Sequence, residues 1–132
     1  MDRLKQRLES AKKTFSLLQE LGTEYDTKVQ RDAKIQRFKY TFEAVWKAAK
    51  QYLNNTEGLD MGSPKAVIRA CFQVGILNQA QTQLALSMTD DRNLTTHIYN
   101  EPMAEAIYAK IQDYQTLLSD WLNILETRSA TD

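Results

Sequence analysis

The sequence predicts an all-α protein: an up-and-down four-helix bundle with one additional short helix. Apolar residues recur at steps of three and four along most of the chain, the spacing that places side chains on one face of a helix. No segment of useful length shows the alternation of a β-strand, and only two prolines and four glycines interrupt 132 residues. That length suits one domain, so residues 1–132 are expected to form a single helical bundle.

The first helix is predicted at the N-terminus and ends near residues 21–22. Its apolar face consists of Leu4, Leu8, Ala11, Phe15 and Leu18. A second helix is predicted over residues 28–53, and residues 54–55 together with Gly58 are expected to end it. Its apolar face comprises Ile35, Phe38, Phe42, Val45, Trp46, Ala49, Tyr52 and Leu53. Phe38, Phe42 and Trp46 are expected in the core rather than against a ligand, because burying each contributes about 1.5–3 kcal/mol.

A short third helix is predicted after a connector that runs to Gly62. Ser63 is a favoured N-cap residue, and Pro64 suits the first helical position because it lacks the N–H that would otherwise be unpaired there. The helix is expected to extend to about Val74.

Gly75 and Asn78 separate the third helix from a fourth. The fourth helix has an apolar face read from Ala80, Leu84 and Met88. Its apolar pattern is interrupted by the polar residues 90–93. A last helix is predicted over residues 102–127, with a core face of Met103, Ile107, Ile111, Tyr114, Leu118, Trp121 and Leu125. Steps of four and three favour the shallow, left-handed packing of helical bundles.

The net charge is zero, but the charges are unevenly distributed. Residues 28–50 contain seven basic and two acidic residues, whereas residues 89–127 contain seven acidic and two basic ones. A neutral chain exerts no global attraction on nucleic acid or membrane, so any attraction must be local. The two segments are either solvated faces of packed helices or a recognition surface, in which the basic second helix flanks a phosphate-bearing ligand or meets an acidic partner.

The remaining composition indicates a cytoplasmic protein without a membrane segment. The single Cys71 excludes an internal disulfide, and its apolar neighbours predict a small buried side chain in a reducing compartment. The charged N-terminus lacks the apolar core of a secretory signal, and no apolar run approaches the roughly 20 residues of a membrane helix. No pattern of metal ligands is present in the sequence, and no cofactor is expected.

Residues 92–99 contain the most informative polar cluster. His97, the only histidine, follows Arg92 by five residues and precedes Tyr99 by two. Histidine exchanges protons near neutral pH, and arginine presents a planar set of donors to phosphate. Metal-free RNA cleavage needs a base for the 2′-hydroxyl and a cation for the transition state, roles that suit His97 and Arg92. Asn93 could donate to a phosphate oxygen. The alternative is a helix-end histidine that caps carbonyl groups.

The spacing limits how this pair can act. Residues five apart on an ideal helix lie about 140° from each other, so Arg92 and His97 would not share a face. Convergence requires that the helix end or distort near residues 95–96, or that a second protomer supply the other residue. Leu94 and Ile98 are expected to continue the buried stripe. Asp91 or its neighbour Asp90 could hold the Arg92 guanidinium or orient the imidazole. With no second histidine, water, Tyr99 or His97 of another protomer must protonate the leaving oxygen.

Three blocks of the sequence resemble the nucleotidyltransferase substrate-binding family of the HEPN superfamily. They are RFKYTFEAVWK at residues 37–47, GSPKAVIR at residues 62–69 followed by Phe72 and residues 75–77, and DRNLTTHIY at residues 91–99. The blocks occur in the family's order, and with their surroundings they span nearly the whole chain. The family pattern differs at Ala44, where a leucine is usual, and at residues 48–49, where a larger pair is usual.

The resemblance implies a HEPN-like helical bundle, a homodimer and a separate minimal nucleotidyltransferase as partner. Arg92, Asn93 and His97 match the superfamily motif, which implies that they line a cleft between two protomers and cleave RNA in ribonuclease members. In the HepT toxin branch the motif extends to a tyrosine that the nucleotidyltransferase modifies with AMP, and Tyr99 matches that position. Negative charge and bulk at Tyr99 would then block the catalytic pair.

Two functions remain open at this point, with a third behind them. The chain is either a metal-independent endoribonuclease toxin or a subunit without chemistry of its own, which binds a nucleotide or substrate for the separate transferase. Tyr99 favours the toxin, whereas the lack of a second proton-transfer group in the chain weighs against it. Purely structural pairing ranks last, because it gives no reason for the polar interruption at residues 90–93.

Overall fold

The computed structural model of the protein describes residues 2–22 and 27–131. Within these ranges the chain forms five α-helices and no β-strand, which confirms the predicted all-α class. The helices are α1 (Arg3–Gln19), α2 (Lys28–Glu57), α3 (Pro64–Gln73), α4 (Gln79–Leu94) and α5 (Glu101–Thr131). A 3-10 turn, Thr95–His97, connects α4 to α5. No helix in the described part of the chain combines the length and apolar character needed to cross a membrane.

The core lies between the predicted apolar faces of the long helices. Every residue assigned to the apolar face of α2 is buried, and so is the face of α5 apart from the half-buried Met103. Phe38 of α2 stacks on Tyr114 of α5, with ring centroids 5.5 Å apart and an interplanar angle of 19°. Cys71 is fully buried as predicted, and burial raises the pKa of its thiol to about 12. The stack of Phe38 on Tyr114 joins α2 to α5 in the buried core.

The ends of α2 and α3 show which capping signals are effective. Ser63 caps α3 as predicted, because its hydroxyl accepts a hydrogen bond from the backbone N–H of Ala66 at 3.2 Å. In contrast, α2 does not end at residues 54–55 but continues to Glu57. The helix ends at Gly58, which adopts a left-handed conformation with a φ of 68°. Residues other than glycine rarely adopt this conformation, so the glycine decides where the helix ends.

The buried face of α4 differs from the predicted one. Ala80 is exposed and Leu84 only half-buried, whereas Ala85 is fully buried. Thr82 and Thr89 share the buried side, where their hydroxyls donate to the carbonyls four residues earlier at 2.7 and 2.9 Å. A threonine whose hydroxyl is satisfied in this way can be buried at little cost. A pattern based on apolar residues alone therefore misassigns this face.

The polar residues 90–93 do not interrupt the helix. They lie within α4, and the geometry changes only at Thr95, where the 3-10 turn begins. Leu94 is 37% exposed, so it does not continue the buried stripe, whereas Ile98 is half-buried against the core. A distortion near residues 95–96, one of the two ways in which Arg92 and His97 were expected to converge, is therefore present.

Candidate functional site

The 3-10 turn between α4 and α5 positions the motif residues. The hydroxyl of Thr95, which is buried, donates to the Arg92 carbonyl at 2.7 Å. The backbone N–H of Asn100 donates to the His97 carbonyl at 3.0 Å, and the Asn100 side chain accepts from the N–H of Met103 at 3.2 Å. Each end of the turn is therefore held by a hydrogen bond, and the second leads directly into α5.

His97 and Tyr99 contact each other on the surface of this turn. The Tyr99 hydroxyl lies 3.4 Å from Nδ1 of His97, and the rings meet edge to face with centroids 5.9 Å apart. Tyr99 is 80% exposed, so its hydroxyl is accessible to another molecule. The imidazole is also exposed. A histidine nitrogen within hydrogen-bond reach of a phenol can accept its proton.

Arg92 pairs with Glu43 of α2, a residue that the sequence did not single out. Its guanidinium forms a short ion pair with Glu43 of α2, and its Nη1 donates to the Asn93 side chain at 3.3 Å. Its Nε is buried without a hydrogen-bond partner among the described residues. Arg92 therefore keeps unused donor capacity, which an oxygen ligand could satisfy.

Glu43 connects Arg92 to other residues of α2. Its carboxylate accepts a hydrogen bond from the Trp46 indole N–H at 3.3 Å and lies 3.9 Å from Nζ of Lys47. Spacings of three and four residues on a helix explain both contacts. Glu43 is one of the two acidic residues in the basic segment at residues 28–50. Its place within the block at residues 37–47 was the one signal that could have indicated its role.

The Arg92 side chain lines a cleft of about 410 Å³ between α2, α3 and α4. The residues that line it are Glu43, Trp46, Ser63, Pro64, Lys65, Thr89, Arg92 and Asn93. Lys65 at the N-terminus of α3 pairs with Asp90 at 2.7 Å. The cleft thus combines two cations, an amide and the first turn of a helix with the carboxylate of Glu43, so it suits an anionic ligand that replaces Glu43 on Arg92.

Neither His97 nor Tyr99 lines this cleft. Each residue of a 3-10 helix turns the chain by about 120° rather than 100°, which places His97 about 160° from Arg92. Within one protomer the structure brings Arg92 and Asn93 together at the cleft, and His97 and Tyr99 together outside it. On ideal helix geometry the 3-10 turn therefore does not bring His97 onto the face of Arg92.

Asp91 supports neither Arg92 nor His97, contrary to one expectation from the sequence. It is buried, accepts a short hydrogen bond from the Tyr114 hydroxyl and lies 3.3 Å from Nζ of Lys110. The physical reason is its position one residue before Arg92, which rotates its side chain by about 100° towards α5. Burial and the contact with Asp91 raise the pKa of Tyr114 above its ordinary range. Asp91 therefore anchors α4 to α5 beneath the motif.

A buried arginine fixes the start of α5, close to Tyr99. The Arg31 side chain is 0% exposed, and its Nη1 donates to Glu101 and to Glu105, each at 2.8 Å. Its Nε donates to Asp32 at 2.9 Å. The hydrogen bond from Arg31 is the main reason that the pKa of Glu101 lies below its ordinary value. Part of the basic segment thus meets the acidic segment inside the protein, an arrangement that the sequence interpretation did not consider.

Comparison with known families gives one match over most of the chain. A family model described as "Nucleotidyltransferase substrate binding protein like" matches residues 6–127. The chain is also similar to a protein of Haemophilus influenzae named "Probable ribonuclease HepT". The two are 29% identical over 102 residues, which cover 74% of this chain and 68% of that protein.

Solved structures share the fold. A crystal structure of a protein from Thermus thermophilus is 49% identical in sequence, has a TM-score of 0.83, and is matched over 87% of this chain and 98% of its own. The tri-AMPylated HEPN toxin of Shewanella oneidensis, solved in complex with its MNT antitoxin, has a TM-score of 0.77 over 96% of this chain and 99% of its own. The identity to that toxin is 14%, so this similarity concerns the helical fold alone.

Proposed function

Because the chain belongs to the nucleotidyltransferase substrate-binding protein-like family, we propose that it is a HepT-like toxin, a metal-independent endoribonuclease whose antitoxin is a separate minimal nucleotidyltransferase. The observation that carries this proposal is the open cleft at Arg92 and Asn93, together with the exposed pair of His97 and Tyr99 a few residues further on. The similarity to a probable ribonuclease HepT agrees with it.

The proposed reaction uses Arg92 and His97 from two protomers. His97 removes the proton of a ribose 2′-hydroxyl, and the resulting oxygen attacks the adjacent phosphorus. The bond to the 5′-oxygen breaks, which leaves a 2′,3′-cyclic phosphate and a 5′-hydroxyl that takes a proton from water or from His97. Arg92 and Asn93 donate to the non-bridging oxygens as charge develops. Since His97 lies outside the cleft of its own protomer, a second copy of the chain supplies it.

Tyr99 is the proposed site of regulation. Its exposed hydroxyl attacks the α-phosphate of ATP bound by the transferase, so that an O–P bond forms and pyrophosphate leaves. The phenolic proton passes to Nδ1 of His97, which lies 3.4 Å away. Each added AMP carries a negative phosphodiester next to His97, which repels the RNA backbone and obstructs the base. The tri-AMPylated Shewanella toxin suggests that several units are added in succession.

The ribonuclease proposal is tested with the isolated protein and single-stranded RNA, in the presence of a chelator. We expect cleavage that leaves cyclic phosphate ends and falls by about 10²-fold or more in Arg92→Ala and in His97→Ala. Arg69→Ala is the matched control, because Arg69 is exposed and does not line the Arg92 cleft. Circular dichroism checks that each variant is folded. Cleavage that persists in folded His97→Ala would contradict the proposal.

The modification is tested by co-expression with the neighbouring transferase, followed by intact mass measurement. We expect mass increments of whole AMP units in the wild type and none in Tyr99→Phe, which retains the ring but lacks the hydroxyl. AMP units on another residue would assign the regulation elsewhere.

A second candidate function is a substrate-binding subunit without chemistry of its own. The separation of Arg92 from His97 within one protomer favours it, and so does the description of the family. In this case the cleft binds a nucleotide phosphate for the transferase. An unmodified chain in stable complex with the transferase, with no RNA damage after long incubation, would support this function over the toxin.

A further inference from the structure

A basic groove separate from the Arg92 cleft lies between α1 and α2. It is lined by Arg3, Arg7, Lys47, Lys50, Gln51, Asn54 and Asp60. Four cations therefore face a single carboxylate, although the chain as a whole is neutral. Like charges held close together repel each other, and binding of an anion relieves that repulsion.

The cations of this basic groove have few partners within the protein. Among the described residues, Arg3, Arg7 and Lys50 form no ion pair, and Lys47 reaches only Glu43 at 3.9 Å. The Nε of Arg7 is a buried donor with no hydrogen-bond partner among these residues. A buried donor without a partner costs free energy, and Arg7 as a whole is only half-buried, so a small shift of its side chain would bring the guanidinium to an acceptor supplied from outside.

A second hollow connects the basic groove to the Arg92 cleft. It is lined by Arg7, Ser10, Tyr40, Glu43, Ala44 and Lys47. It shares Arg7 and Lys47 with the basic groove, and Glu43 with the Arg92 cleft. The basic groove and the connecting hollow therefore follow one another along α2, and the Arg92 cleft lies beside the connecting hollow at Glu43. From Asn54 to Tyr40 this path spans about 21 Å at 1.5 Å per residue, the length of about six stacked nucleotides at 3.4 Å each.

An exposed aromatic ring lies on this path. Tyr40 is 58% exposed although it is a large side chain of α2, and it lines the connecting hollow. Proteins that bind single-stranded nucleic acid combine a positively charged groove with aromatic rings on which bases stack. Double-stranded RNA does not offer unstacked bases to such a ring.

We propose that the basic groove and Tyr40 bind the backbone and one base of a single-stranded RNA and lead the strand to Arg92. This inference deepens the proposed ribonuclease function and rests on it. The phosphates contact Arg3, Arg7 and Lys50, and the base stacks on Tyr40. The strand then reaches Glu43, where its scissile phosphate takes the place of the carboxylate on Arg92.

The test measures binding of a single-stranded 2′-O-methyl oligoribonucleotide, which lacks the nucleophile and cannot be cleaved by this route. Each phosphate contact on a single strand contributes about 0.7 to the slope of log affinity against log salt concentration. We therefore expect the slope to fall by about 2 in the triple variant Arg3→Gln, Arg7→Gln, Lys50→Gln. Between 50 and 200 mM salt, the wild type should lose about 16-fold more affinity than this variant.

The matched control is Lys5→Gln, Lys13→Gln, Arg69→Gln. It removes the same number of positive charges from exposed residues that line none of the three hollows. The control should retain the wild-type slope. Tyr40→Leu should weaken binding roughly fivefold or more while leaving the slope unchanged, because stacking involves no counterion release.

Equal slopes in the triple variant and the control would overturn the inference. So would a triple variant that binds the oligonucleotide normally but no longer binds the transferase, since the groove would then be a protein interface. Failure of the ribonuclease function gives a different result: the groove variants still change binding, while the wild type leaves unmodified RNA intact.

Discussion

Arg31 and Arg92 differ in how completely their donors are satisfied, although each arginine pairs with at least one carboxylate that lies far from it in the sequence. Arg31 is completely buried and meets three carboxylates, from Asp32, Glu101 and Glu105. Arg92 is partly exposed, pairs with the single carboxylate of Glu43 and with the Asn93 side chain, and keeps a buried Nε without a partner among the described residues. An arginine with satisfied donors contributes to the fold, whereas one with unused donors is available to a ligand.

The strongest test of this difference is Arg92→Ala. We expect RNA cleavage to fall by about 10²–10³-fold, because a donor to the developing charge is lost. The free energy of unfolding should change by only about 0.5 kcal/mol, since the ion pair with Glu43 is partly exposed. Cleavage assays and urea unfolding measure the two quantities. A large loss of stability with normal cleavage would mean that Arg92 contributes to the fold and not to RNA cleavage.

The converse test is Arg31→Met, which retains much of the buried volume but removes the charge. We expect a loss of about 2–3 kcal/mol in the free energy of unfolding, near the lower end for breaking a buried ion pair, because the carboxylates can regain water. Urea unfolding measures this loss, with Arg37→Met as control for an arginine that is partly exposed. Unchanged stability in Arg31→Met would show that the carboxylates contribute little to the fold.

The pH dependence of stability should distinguish Arg31→Met from Arg92→Ala. The pKa of Glu101 is lowered in the folded state, mainly by its hydrogen bond from Arg31. The contribution of Glu101 to stability is therefore complete above the pKa of the unfolded state, about 4.3, and is lost as the pH falls through the pKa of the folded state. The difference in melting temperature between wild type and Arg31→Met should shrink in acid below about pH 4.3. Arg92→Ala differs from the wild type by only about 0.5 kcal/mol at neutral pH, so it has little difference to lose in acid.

The smallest expected effect is that of Glu43→Gln. The substitution removes the negative charge that competes with an RNA phosphate for Arg92, so affinity for RNA should rise by up to about fivefold, the value of a partly exposed ion pair. Asp120→Gln serves as control for loss of a carboxylate elsewhere. Filter binding with uncleavable RNA measures the change. Weaker binding in Glu43→Gln would mean that the carboxylate orients Arg92 rather than competing for it.

The sequence was sufficient to predict features that depend on local periodicity. The apolar faces of α2 and α5 and the cap at Ser63 follow from residue spacing, and all are confirmed apart from the half-buried Met103. The α4 face was partly wrong because hydroxyl groups of buried threonines bond to the helix itself, which an apolar pattern does not register. Sequence periodicity therefore predicts burial well for purely apolar side chains, but not for side chains that also form hydrogen bonds.

Features that depend on contacts between distant segments were not predictable in this way. Glu43 and Arg92 are 49 positions apart, and no local spacing indicates that they meet. Arg31 belongs to the basic segment at residues 28–50, and nothing in the local sequence indicates that its guanidinium is buried against Glu101 and Glu105. By contrast, the five-residue spacing alone predicts that His97 does not share a face with Arg92, and the 3-10 turn does not bring His97 into the Arg92 cleft.

The turn at Thr95–His97 also has a genetic consequence. Because it leaves His97 outside the Arg92 cleft of its own chain, a two-fold dimer would contain two composite sites, each with Arg92 from one chain and His97 from the other. A heterodimer of Arg92→Ala and His97→Ala then has one intact site and one site that lacks both residues. Random mixing of the two inactive proteins would restore about a quarter of the sites, so that two silent alleles would complement each other.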